Sequence, residues 1–174
     1  MTALDFFIDF AVTGRVEGVG LNSKPDDWSE HLGAGYVDDK RKNQMRRDYG
    51  LVELGFARVE RAWRCAAISI QAHRLWRDAN NVPPKLRRRY GVFPRTIQFE
   101  EMRKRLRALD HEPRLIDDQQ SSDHERYYVP ETKILIYVLS VKPSDDLDGM
   151  PPQRLWSMNL SVDSEIWAMP LRKS

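Results

Sequence analysis

The chain has 174 residues, 41% of them apolar and 31% charged, with 28 basic side chains against 26 acidic ones for a net charge of +2. That balance can supply a core and excludes a disordered polyelectrolyte, while the near-neutral charge points neither to nor away from nucleic acid. A single cysteine, Cys65, excludes an intramolecular disulfide framework and a cysteine-rich zinc site, and no apolar run approaches the roughly 18 residues a membrane span needs.

Thr2 to Thr13 reads as a helix. Leu4, Phe7, Ile8 and Ala11 fall at helical spacing, Thr2 and Asp5 can form a capping box, and Gly14 suits the C-terminal stop. Asp5 and Asp9 interrupt the apolar stretch, and no basic region precedes it. That argues against a signal peptide and makes the cytoplasm the expected compartment. Gly14, Gly18 and Gly20 then cluster. The string Gly18–Ser23 resembles a phosphate loop but lacks its G-K-[ST] ending, so a turn before the next helix is the expectation. That helix runs from Lys24 to Leu32, with Ser23 as N-cap, Pro25 early, Asp26 and Asp27 in the first turn and Gly33 after it. Trp28 and Leu32, four residues apart, would face the core.

Residues 34–47 read as a loop with Asp38-Asp39 and then a basic cluster, Lys40, Arg41, Lys42, Arg46 and Arg47. The clearest strand signal follows. Val52, Leu54 and Phe56 alternate with Glu53, Gly55 and Ala57. Beyond the polar link Glu60-Arg61, Ala66, Ile68, Ile70 and Ala72 alternate with Cys65, Ala67, Ser69 and Gln71. Period-two alternation predicts a β-hairpin with one face buried. Cys65, inside a strand, is expected to be a packed thiol rather than a reactive one.

His73 to Asn81 ends that strand or enters a loop. Val82 to Gly91 predicts a short helix after Pro83-Pro84. Thr96 to Asp110 predicts another, with Phe99, Met102, Leu106 and Leu109 as its apolar stripe. Leu115-Ile116 suggests a short strand, Asp117–Glu125 an acidic loop, and Arg126–Val129 a strand. Lys133–Val141 is apolar on both parities, as a strand buried on two faces would be. Leu155–Ser161 alternates with Trp156, Met158 and Leu160 on one face, and Asp163–Trp167 suggests a last turn.

The order helix, helix, loop, strand, strand occurs twice. Gly14 and Gly91, and Leu32 and Leu109, stand at the same interval of 77 residues. The fold class expected is α+β: an antiparallel sheet with helices on one face, from a tandem α-β-β duplication. The chain is then one globular domain over 1–174, built from fused repeats 1–80 and 81–174.

Gly18–Gly33, followed by Asp48-Tyr49-Gly50-Leu51-Val52-Glu53-Leu54, resembles small actinobacterial immunity proteins encoded beside polymorphic toxins. The resemblance covers residues 17–76. The doubled α-β-β pattern is similar to the β-lactamase inhibitory proteins, which bind an enzyme through the concave face of such a sheet. These resemblances imply a cytoplasmic, non-enzymatic protein whose partner is one cognate toxin; no site residue carries over.

No catalytic constellation is expected. His31, His73, His111 and His124 form no H-x-x-x-H or H-E-x-x-H pair, and no serine sits in a G-x-S-x-G elbow. No metal and no cofactor are expected, although His124 lies beside Asp123 and Glu125. Acid gathers in the apparent loops, so Asp117, Asp118, Asp145, Asp146 and Asp148 are the candidate partner-binding residues, imitating phosphates toward a basic toxin. Glu53, on the non-core parity, would also suit a binding surface. The rival partner is nucleic acid, gripped by Lys40, Arg41, Arg46, Arg47, Arg87, Arg88, Arg103 and Arg107 if the fold aligns them.

Overall fold

The computed structural model describes residues 1–116, 123–140 and 149–162. Helix α1 is Ala3–Thr13. Its first turn is closed as the sequence predicts: Thr2 N–H donates to the Asp5 carboxylate at 2.5 Å, and Asp5 N–H donates to the Thr2 hydroxyl at 3.4 Å. Those bonds satisfy amides that the helix itself leaves unpaired. Gly14, at φ 65°, ends the helix in the left-handed conformation and donates to the Phe10 carbonyl at 2.8 Å. Phe6, Phe7 and Phe10 are buried, and the first two meet Phe93 edge-on. Each such ring contributes about 1.5–3 kcal/mol by burial.

Helix α2 is Pro25–Leu32, with Trp28 and Leu32 buried. Its N-cap is Lys24 rather than Ser23. With Pro25 at the first helical position, the cap falls one residue later, and Lys24 N–H donates to Asp27 at 2.8 Å. The Ser23 hydroxyl instead donates to the Gly20 carbonyl at 2.6 Å.

The expected loop over 34–47 contains two strands, β1 (Val37–Lys40) and β2 (Gln44–Asp48). They lack an apolar alternation because β1 is an edge strand and β2 turns only Met45 and Arg47 toward the core. β3 (Val52–Val59) and β4 (Ala62–Ile70) form the predicted hairpin. Its two-residue turn puts both Glu60 (φ 48°) and Arg61 (φ 67°) at positive φ, which matches the twist of the flanking strands. A bulge in β4 turns Cys65 to the core opposite Phe56, against the parity expected from Ile68 and Ile70.

Three helices follow: the single turn α3 (Arg74–Arg77), then α4 (Pro84–Tyr90) and α5 (Phe99–Ala108). Phe99, Met102 and Leu106 bury as the stripe predicts, while Leu109, past the helix end, stays half-exposed. Tyr90 donates to Asp9 of α1 at 3.1 Å, and Arg105 of α5 donates to Asp5 at 2.6 Å. The Thr2 backbone amide and Arg105 hold the Asp5 carboxyl down, at about 2.

The remaining strands are β5 (Arg114–Leu115), β6 (His124–Val129), β7 (Ile134–Leu139) and β8 (Leu155–Ser161). All eight form one antiparallel sheet in the order β1-β2-β3-β4-β8-β7-β6-β5. The fold is α+β. Two four-stranded halves meet where β4 pairs with β8; in the chain the first half follows α1 and α2, and the second follows α3, α4 and α5. β7 is buried on both parities between β6 and β8, as its composition predicts. β1 and β5 are the edges: β1 has four residues, three of them charged, and β5 has two.

One core cluster joins α1, α2, α4 and α5 to Val52, Leu54, Phe56, Ile68, Ile70, Ile136 and Met158 of the sheet. Trp156 does not share that face with Met158. A register shift pairs Tyr137 with Ser157 but Val138 with Leu155, so Leu155 takes the core position. Among the described residues, no helix is long and apolar enough to cross a membrane. The expected turn at 163–167 lies outside the described residues.

Candidate functional site

Helices cover one face of the sheet; the opposite face is graded by side-chain size. Its middle strands present Gly55 and Ala57 from β3, Arg64, Ala67 and Ser69 from β4, and Ser157, Asn159 and Ser161 from β8. Apart from Arg64 and Asn159, these register partners leave little above the backbone. A Cβ on Gly55 would already come within 3.2 Å of the Ala67 methyl. Larger groups stand to both sides, ionic ones toward β2 and β3 and aromatic ones toward β6, β7 and β8, and the two sets meet at the consecutive residues His73 and Arg74; the face between them is a trough.

One wall is ionic. Glu53 of β3 and Asp48 of β2 pair directly in the register, and Arg74 of α3 bridges them. Its Nη1 donates to the two Asp48 oxygens at 2.8 and 3.0 Å and to the Gly50 carbonyl at 2.8 Å, while Nη2 donates to Glu53 at 2.8 Å. Arg46 stands 3.7 Å from the same Glu53 oxygen. Half-buried and multiply bonded, this network is worth more than an exposed pair, about 1–3 kcal/mol. It ends in a cleft of about 670 Å³ lined by Tyr36, Tyr49, Gly50, Arg46, Arg74 and Asn81.

The other wall is aromatic. The bulge in β8 directs Trp156 away from the core. His73 stacks on it at 4.5 Å between ring centroids and 9° between planes, and His124 of β6 meets it edge-on at 4.7 Å. Tyr137 stands 6.4 Å from His124. Ile116, Tyr128 and Leu135 form a small second apolar cluster on the same side, with Tyr137 against it. His73 backbone N–H donates to the Trp156 carbonyl at 2.9 Å, which fixes the stack to the β4–β8 seam. Burial pushes both imidazoles below their ordinary value. For His73 the neighbouring Arg74, His124 and Arg77 add to the shift and the Trp156 carbonyl opposes it; for His124, Asp123 opposes it.

Asp117, Asp118, Asp145, Asp146 and Asp148 lie outside the described residues. The basic residues do not share one surface. Arg46 faces the trough, Lys40 and Arg41 lie at the β1 edge, and Arg87, Arg88, Arg103 and Arg107 ride on helices behind the sheet. Arg103 and Arg107 both reach Glu112, at 3.2 and 2.5 Å. Arg47 is a correction to the basic cluster. It is 4% exposed, forks onto Asp38 at 2.8 and 3.0 Å, and donates to the Pro25 carbonyl and the Ser29 hydroxyl, with Tyr36 stacked 3.7 Å from its guanidinium. It ties β1 and β2 to α2 and has no free donor face for phosphate.

The Gly18–Ser23 string is also structural. Asn22 N–H donates to the Cys65 carbonyl and Cys65 N–H to the Ser23 carbonyl, pairing the loop with β4 at its bulge. Cys65 is a buried free thiol. Among the described residues, no group of three or more His, Cys, Asp or Glu side chains gathers to hold a metal ion.

Glu53 was visible in the alternation of β3. Arg74, His73, Arg64 and Trp156 were not, because a one-turn helix and two bulges carry no periodic signal. The chain matches no protein-family model and no curated protein sequence. Among solved structures it is similar to a DUF4309 family protein of Bacillus subtilis, at 13% identity and a TM-score of 0.40, over 91% of this chain and 94% of that one.

Proposed function

We propose that this protein is a non-enzymatic binding module that docks one protein partner in the trough of its sheet. Following the resemblance to immunity proteins, the partner is a cognate bacterial toxin, neutralised in the cytoplasm. One observation supports this reading above others: Trp156, His73 and Tyr137 share the helix-free face of the sheet with Arg46 and Arg74, the aromatic and ionic groups meeting at the consecutive residues His73 and Arg74. Aromatic and arginine side chains dominate the energetics of protein interfaces. They bury large areas at low entropic cost and make bonds that survive desolvation.

Calorimetric titration with the product of the neighbouring reading frame, made as an inactive variant, tests the proposal. Nanomolar one-to-one binding, weakened about a hundredfold by Trp156→Ala and unchanged by Arg87→Glu with Arg88→Glu, is the expected result. Absence of binding, or binding lost through the helix substitutions and not through Trp156, overturns it.

A further inference from the structure

The arginines on the trough face are unequally matched. Arg74 is held by Asp48 and Glu53, and Arg46 shares Glu53. Arg64 is different. It sits on β4, one of the two seam strands, opposite Ala57, with Gly55, Ala67 and Ser161 nearby on the same face. It is half-buried and forms no ion pair with a described residue. Glycine, alanine and serine offer it no anion. A partly desolvated cation in such a place gains most from an acid brought by another molecule.

We infer that the partner docked in the trough presents an acidic projection, and that one of its carboxylates seats on Arg64. This rests on the trough being the docking face and adds the chemistry of what it docks. A polypeptide fits better than a nucleic acid strand. Trp156 already has one ring face covered by His73, and Asp48 and Glu53 line the same face, where they would repel a run of phosphates.

The test is amide-shift mapping of the intact protein with three probes: a capped peptide alternating aspartate with glycine, its lysine counterpart, and an oligothymidylate. The aspartate peptide is expected to shift the amides of Gly55, Ala57, Ala67 and Ser161 saturably. Arg64→Gln should weaken that about tenfold, Arg64→Lys should retain most of it, and Arg64→Glu should transfer the preference to the lysine peptide. Aspartate-peptide shifts that Arg64→Gln leaves unchanged overturn the assignment to Arg64. If the lysine peptide moves the same amides in the unaltered protein, the acidic partner is wrong and the docking face stands. If neither peptide moves them, the acidic partner on Arg64 is overturned, while the docking face is decided by the titration with the neighbouring gene product. If the oligothymidylate moves them at lower concentration than either peptide, the occupant is nucleic acid.

Discussion

His73 lies flat against Trp156, with 4.5 Å between ring centroids and 9° between planes. The stack is made by an imidazole that burial favours in its neutral form, with Arg74, Arg77 and His124 around it adding to the preference. His124, on the edge of the same indole, is shifted in the same direction. Both values are lowered on folding, so the unfolded chain takes up protons first as pH falls. Stability is therefore full above the ordinary histidine range, declines as pH drops through it, and levels off below the folded values. The melting temperature should fall between pH 7 and pH 5. His73→Gln with His124→Gln should flatten that slope; an unchanged slope would remove the two histidines as its cause.

Arg47 is the buried fastener of the first half of the sheet. Arg47→Ala strands Asp38 and the Ser29 and Pro25 oxygens, and should cost about 3 kcal/mol. Arg47→Lys keeps the charge and loses the fork, and should cost about half as much. Urea midpoints at constant slope measure both. A loss under about 0.5 kcal/mol for the alanine variant contradicts the role.

Gly50 has φ 87°, and a Cβ there would lie 2.0 Å from the Asn81 side-chain oxygen and 2.7 Å from its backbone oxygen. Gly50→Ala should destabilise by more than about 2 kcal/mol. Asn81→Ala should not rescue it, since the backbone oxygen and the positive φ remain. Thermal unfolding of the single and double variants decides this.

Cys65 is buried, and burial pushes its thiol up to about 12, against opposing hydrogen bonds with the Ala67 backbone and the Trp28 side chain. A thiol-reactive dye at pH 8 should leave the native protein unlabelled for hours and label it fully in denaturant. Labelling at the rate of an exposed thiol would place Cys65 at the surface.

The hairpin turn holds two non-glycine residues at positive φ, Glu60 and Arg61. Arg61→Gly should raise stability by about 0.5–1 kcal/mol, the relief of one such conformation outweighing the added freedom of the unfolded chain. A lowered urea midpoint would show that Arg61 makes compensating contacts.

The legible parts of the fold were those whose chemistry repeats. The Thr2–Asp5 box and Gly14 bounded α1 to within a residue, Val52, Leu54 and Phe56 gave β3 its inward face, and the two-sided apolarity of Ile134–Leu139 gave β7 its internal position. Strands β1 and β2 were hidden because Asp38 and Arg47 satisfy each other inside the fold. A charged pair that looks like a loop in sequence is a strand contact in space. The trough was hidden for a related reason. Cys65 and Trp156 changed sides at bulges, and a bulge is one residue out of register, invisible to parity counted along a single strand. Of the site, only Glu53 and Arg46 were chosen from sequence; Arg64 and Trp156 gained their meaning from neighbours distant in the chain.

The two sheet edges also bear on how copies of the chain behave when crowded. β1 offers an incoming strand four residues, among them Asp38, Asp39 and Lys40, and β5 offers two. Neither can template a long backbone ladder, and β1 meets its own image with like charge. Growth into fibrils by adding sheet to sheet is disfavoured at both described edges. Concentrated solutions should therefore scatter light as single particles.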